Sequence, residues 1–208
     1  MVKNTLEALE IGDLSFYVRH KVISPGENTQ IRNQGEIQHL YMLLHAKGTK
    51  IYRLLIIGKK ELPAIEEREK HWAIIDLVTK DRVKIAEILE KDVYGTVTRG
   101  ERVQPEAVLV AKGEYSVKFD GRQTILSYKL KQDNLLSQLK ADLNIVNHGN
   151  YILSVKNPEL NPPDNPQKLP AYPSKLRKQF KDLHFIAANP IELINYVNTQ
   201  VILIGAGP

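Results

Sequence analysis

Residues 113–131 read GEYSVKFDGRQTILSYKLK, two stretches of alternating apolar and polar residues on either side of Asp120-Gly121. That dipeptide predicts a two-residue type I′ turn, and the flanking alternation predicts the strands of a hairpin. The register places Tyr115, Val117 and Phe119 on one face with Leu126, Tyr128 and Leu130. Ser116, Lys118, Ser127 and Lys129 fall on the other face. One apolar face and one wet face is the pattern of an antiparallel sheet. Phe119, Leu126 and Tyr128 are therefore expected in the core.

Working outward, a second hairpin is expected between 38–46 and 50–58, turning through Lys47-Gly48-Thr49. Its return strand carries Leu54-Leu55-Ile56-Ile57, apolar on both faces, so it should lie centrally in the sheet. Residues 14–23 alternate well enough for a third strand. Further apolar runs occur at 73–78, 151–155, 184–188 and 200–204. Helices are placed by caps and by 3.6-residue spacing. Asp81 caps 82–91, Asp133 caps 134–143, and short helices are expected at 174–182 and, after Asn189-Pro190, to about 198. Pro63 and the Glu66–Lys70 pair suit another helix beginning at 63.

Interleaved helices and hairpins predict an α+β fold. It would have a mixed, largely antiparallel sheet with short helices between strands, and a docked C-terminal helix–strand–helix–strand appendage. Six of the eleven prolines crowd into 158–173, which predicts a stiff connection. The expected organisation is a main domain over 1–157, the proline-rich connection over 158–173, and an appendage over 174–208 packed on the main domain.

Composition removes several classes of function. The chain of 208 residues has no cysteine, which excludes disulfide scaffolds, thiolate metal sites and cysteine nucleophiles. No apolar run reaches the 18 residues of a spanning helix, and Met1–Glu7 lacks the apolar core of a secretion signal, so a cytoplasmic setting is expected. The formal charge is +5, but residues 61–110 carry 11 acidic against 8 basic groups and the remaining excess is spread thinly. Nucleic-acid binders usually gather charge on one face, so a weak nucleic-acid association is a distant reading. The six histidines show no ligand spacing, so neither a metal nor a cofactor is expected. No Gly-x-Ser-x-Gly elbow and no phosphate-loop motif occurs.

The most chemically suggestive turn is Arg99-Gly100-Glu101-Arg102, following a strand expected at 93–98. Two guanidiniums flanking a glycine can fork onto a carboxylate or phosphate, with Glu101 holding one in place. Lys156, at the end of the 151–155 strand, is a second candidate for the same anion site. The expectation is a binding or interaction module that recognises an anionic small molecule or an acidic protein surface. The alternatives are an enzyme acting on a phosphorylated or carboxylated small molecule, and the weak nucleic-acid association above.

Overall fold

The computed structural model describes residues 6–98, 100–135, 137–160 and 168–207. The chain is 48% strand and 15% helix, and eight antiparallel strands close into a barrel. This corrects the α+β expectation. The long strands are β1 (Glu7–His20), β2 (Ile37–Ala46), β3 (Tyr52–Ile57) and β4 (Lys70–Thr79). After helix α1 (Arg82–Leu89) come the small hairpin β5 (Asp92–Thr96) and β6 (Gly100–Gln104), then β7 (Ala107–Phe119) and β8 (Thr124–Asp133). Helix α2 (Ser137–Asp142) leads into β9 (His148–Lys156), and α3 (Ser174–Phe180) into β10 (Phe185–Ala187) and β11 (Gln200–Gly205).

Two meanders, β1–β4 and β7–β9, are joined by the antiparallel β1–β7 pairing on one side. On the other side β11 lies between β4 and β9 and completes the ring. β10 adds outside the ring, along the part of the β9 edge that β8 leaves open. Closure is decided by pairings far apart in sequence, and these leave no trace in local periodicity. A closed ring has no edge strands and needs no helical layer. The helices are accordingly short and lie outside the wall or across its ends.

The hairpin at 113–131 forms as β7 and β8, pairing Tyr115 with Tyr128 and Val117 with Leu126. Its loop takes four residues instead of two. The Asp120 carboxylate accepts the N–H groups of Arg122 and Gln123, and Gly121 sits at φ 93°. Phe119, beside this loop, is half-buried, whereas Leu126 and Tyr128 are core. The helix expected from Pro63 is absent. Residues 64–69 instead close on themselves, with the Glu69 N–H donating to the Ala64 carbonyl and the Ala64 N–H to the Glu69 carboxylate. After Pro190 only a 3₁₀ turn, Ile191–Ile194, forms.

The barrel interior is filled by side chains. Leu14, Phe16, Leu40, Met42, Leu55, Ile75, Val117, Leu126, Tyr151 and Leu203 all lie in one buried cluster. Two glycines make room for the large rings. A Cβ on Gly12 would stand 2.5 Å from the Tyr115 ring, and one on Gly149 would stand 2.3 Å from Tyr128. One end is covered by Leu62 and by Leu139, Leu143 and Ile145 of the α2 region; the other by Tyr172, Leu176, Phe180, Leu193 and Ile194. The C-terminal residues thus supply both an end cover and a wall strand. Among the described residues no helix is long and apolar enough to cross a membrane.

A smaller cluster lies on the outer wall, where Ile85 and Leu89 of α1 pack on Tyr41, Leu43 and Leu54. This explains why Leu54–Ile57 is apolar on both faces: one side looks into the barrel and the other meets α1. Asp81 caps the helix by accepting the Val83 N–H at 2.9 Å.

Candidate functional site: the cleft beside helix α1

Helix α1 runs along the outside of β1–β3, and a cleft of about 570 Å³ opens between it and the wall. This is a surface site, on the side of the wall opposite the buried cluster that fills the barrel. The floor is apolar, with Leu43, Ile85, Leu89 and Ala107. The wall is aromatic: the His45 and Tyr52 rings stack with centroids 4.1 Å apart and planes 5° from parallel, and Tyr17 stands alongside. Each of these side chains points outward because alternate residues of β1–β3 fill the barrel.

Charge is distributed along the cleft. Arg82, the first residue of α1, lies at one end with Asp13 and His45, while Glu90 and Glu106 also line it. An α-helix rises about 1.5 Å per residue, so Arg82 and Glu90 are separated by about 12 Å along the axis. Asp13 contacts Lys47 at 3.4 Å, and its nearer oxygen is 3.9 Å from His45 Nδ1, too far for a hydrogen bond. Burial pushes the Tyr17 hydroxyl above its usual range, against the Arg82 charge and a bond to Ser15.

The far end of α1 is held by Arg19. Its Nη2 donates to the carbonyls of Ile88 and Glu90, the helix's last acceptors, and its guanidinium carbon lies 5.7 Å from the Tyr41 ring centre. Opposite Arg19 in the β1–β2 register is His39. Asp76 sits at the β4 bulge, where Leu54 pairs with Leu77 and Leu55 with Ile75. Burial lowers the His39 imidazole and Arg19 lowers it further, while Asp76 works the other way. Burial raises the Asp76 carboxyl, opposed by His39 and Arg19. Both groups are pushed toward their neutral forms.

Of the described residues expected to bind an anion, Glu101 and Arg102 lie together on β6 and Lys156 lies on β9. Arg99 lies outside the described residues. Glu101 is exposed on β6 and lines a separate, smaller depression of about 430 Å³ beside the segment 23–31. Arg102 donates to Ser24 Oγ at 2.9 Å and to the Val22 carbonyl at 3.2 Å, pinning the β5–β6 hairpin to the chain that leaves β1. Lys156 is on β9, where it donates to Gln200 Oε1 at 3.0 Å and stands over the Trp72 ring at 5.6 Å. Glu101 and Lys156 border different depressions.

A separate cluster occupies the barrel end near α2. Glu61, Glu69 and His71 bring ligand-type atoms within 4.8 Å of one another. The Glu69 carboxyl is held down at about 2, mainly by the His71 ring, then by the Ala64 N–H and Lys59. Sequence reading missed both the α1 cleft and this cluster. The available signal was the run of polar and aromatic residues at the outward positions of β1 and β2 (Asp13, Tyr17, Tyr41, His45), which a plain solvated face does not need. Comparison with protein-family models, with curated proteins and with solved structures finds no match to the chain.

Proposed function

We propose that the chain is a binding module that holds a small planar ligand on the outer wall of its barrel, in the cleft between α1 and β1–β3. The observation that carries this reading is the combination, in the largest depression described, of an apolar floor, a stacked aromatic wall and charges of opposite sign along its length. A flat ring system would lie against His45, Tyr52 and Tyr17. An anionic or acceptor group would face Arg82, whose fork of donors suits a carboxylate. An amino or other donor group would face Glu90 or Glu106. The anionic small molecule expected from the sequence is retained in this reading, with Arg82 taking the part assigned there to Arg99 and Arg102.

The test is ligand-observed NMR with aromatic acids, aromatic amines and aromatic amino acids. Ala86 lines the cleft from the exposed side of α1, so Ala86→Trp should fill it and abolish binding without touching the core. Arg82→Ala should weaken the acids selectively. Fragment binding that survives Ala86→Trp, or no binding by any class, would remove the cleft as the site.

A further inference from the structure

We infer that Glu61, Glu69 and His71 form a binding site for a single borderline divalent cation of the Zn²⁺ type. The site stands apart from the α1 cleft, at the barrel end where the 59–69 loop meets the start of β4. Three features of the geometry carry the inference.

The first is the orientation of the histidine. His71 is buried, with its side chain shielded from solvent. Its Nδ1 donates to the Glu61 backbone carbonyl at 2.8 Å, which turns Nε2 toward the Glu69 carboxylate. Metal-bound imidazoles are oriented in this manner, one nitrogen donating to a carbonyl so that the other can ligate.

The second is the contact between His71 and Glu69. Nε2 lies 2.9 Å from Glu69 Oε1, yet makes no hydrogen bond of ordinary geometry, although it is fully enclosed. A protonated ring donating to that carboxylate would point its N–H along the line between the atoms. Two ligands of one ion behave differently: they approach closely while their lone pairs converge on a third point. The off-axis contact has that form.

The third is the support behind the carboxylates. Gln34 Nε2 donates to Glu61 Oε2 at 2.8 Å, and the Ala64 N–H donates to Glu69 Oε2 at 3.1 Å. Each carboxylate is thereby held by one oxygen. One imidazole and two carboxylates, with no thiolate, suit Zn²⁺ and its neighbours better than Ca²⁺ or Mg²⁺, which prefer oxygen alone. A competitor is present: the exposed ammonium of Lys59 lies 3.0 Å from Glu69 Oε1 and would swing away when the cation enters.

The experiment is a titration of the full chain with Co²⁺, followed by visible absorption, and then competition with Zn²⁺. A ligand-field band of a four- or five-coordinate ion, lost at one equivalent of Zn²⁺, is expected. Gln34→Ala should weaken binding by about tenfold, the range for losing a hydrogen bond that supports a ligand, and Glu69→Gln, which alters a ligand itself, by more than Gln34→Ala. Lys59→Met should strengthen it. All three changes fall on residues outside the sealed core, so folding can be checked by the metal-free melt. No Co²⁺ band, or a band unchanged in both Glu69→Gln and Gln34→Ala, would overturn the site and assign any binding to surface histidines such as His20 or His148.

Discussion

Arg53 and Glu10 face one another inside the barrel: Nη1 donates to Oε1 at 2.6 Å and Nη2 to Oε2 at 2.9 Å. The pair is nearly sealed from water, and both partners have further bonds. Arg53 Nε donates to Asn195 Oδ1 at 2.7 Å, and the Tyr115 hydroxyl donates to Glu10 Oε1 at 2.7 Å. Burial and the Glu10 charge push the Tyr115 phenol far above its usual range, so it stays a donor. The network ties β1, β3, β7 and the segment before β11 together.

Removing one member leaves a buried charge without its counterion. Arg53→Met should cost about 3–5 kcal/mol in urea unfolding. The double variant Glu10→Leu with Arg53→Met should be much less destabilised than the sum of the single changes. Additive losses would show that the two residues do not act as a pair.

Gly149 is expected to tolerate no side chain. Its Cβ would enter the Tyr128 ring, and the Tyr151 ring stands on the other side at 2.8 Å. Gly149→Ala should destabilise by about 1–3 kcal/mol through overpacking, and Tyr128→Leu in the same chain should return part of the loss. Equal stability of Gly149→Ala and the parent in thermal melts would contradict the close approach.

The wall strand β11 pairs with β4 on one side and β9 on the other. A chain shortened to residue 160 would open the ring and uncover the apolar faces of both neighbours. Its circular dichroism melt should lose the cooperative transition of the full chain. An unchanged melting temperature would mean that β11 is dispensable.

His39 should titrate below the ordinary 6.5, because burial and Arg19 disfavour its charged form. The sign for stability follows: the neutral ring is favoured by the folded state, so its contribution is present above 6.5 and is lost as pH falls from there through the lowered value. Asp76 is raised from 3.8, so its contribution is present below that value and is lost as pH rises through the folded one. Asp76→Asn should therefore stabilise the chain at neutral pH and shift the His39 midpoint lower still. Proton NMR of the His39 ring across pH 4–8 reads both. A midpoint at or above 6.5, or an upward shift in the variant, would contradict this arrangement.

The strands themselves were largely readable from the sequence. The 113–131 hairpin, the 38–58 hairpin and the apolar runs all appear where alternation or branched residues place them, since pleat parity is a local property. What local pattern could not carry was which strands meet. The pairing of β1 with β7, or of β4 with β11, joins residues 88 or more positions apart. Periodicity therefore ran out at the fold class, and short capped helices were given more architectural weight than they hold. The site followed the same division. Tyr17, His45, Tyr52 and Arg82 become neighbours only because β1–β3 lie side by side under α1. Glu69 and His71 lie two residues apart where the chain enters β4, but Glu61 joins them through the folded-back loop.

The position of β11 also bears on how the molecule is made. It is the last of the eight wall strands in chain order, yet it belongs between two that precede it. Until residues 200–205 arrive, β4 and β9 present two facing edges of unpaired amides and carbonyls, the form of strand most open to pairing with other chains. The two meanders can assemble early from near neighbours, but the ring is sealed by its most distant pairings. Such topologies fold slowly and pass through species at risk of aggregation. The closing strand is thus a kinetic gate on solubility: substitutions that delay its insertion should show first as aggregated yield, before any loss of stability is measurable in the molecules that close.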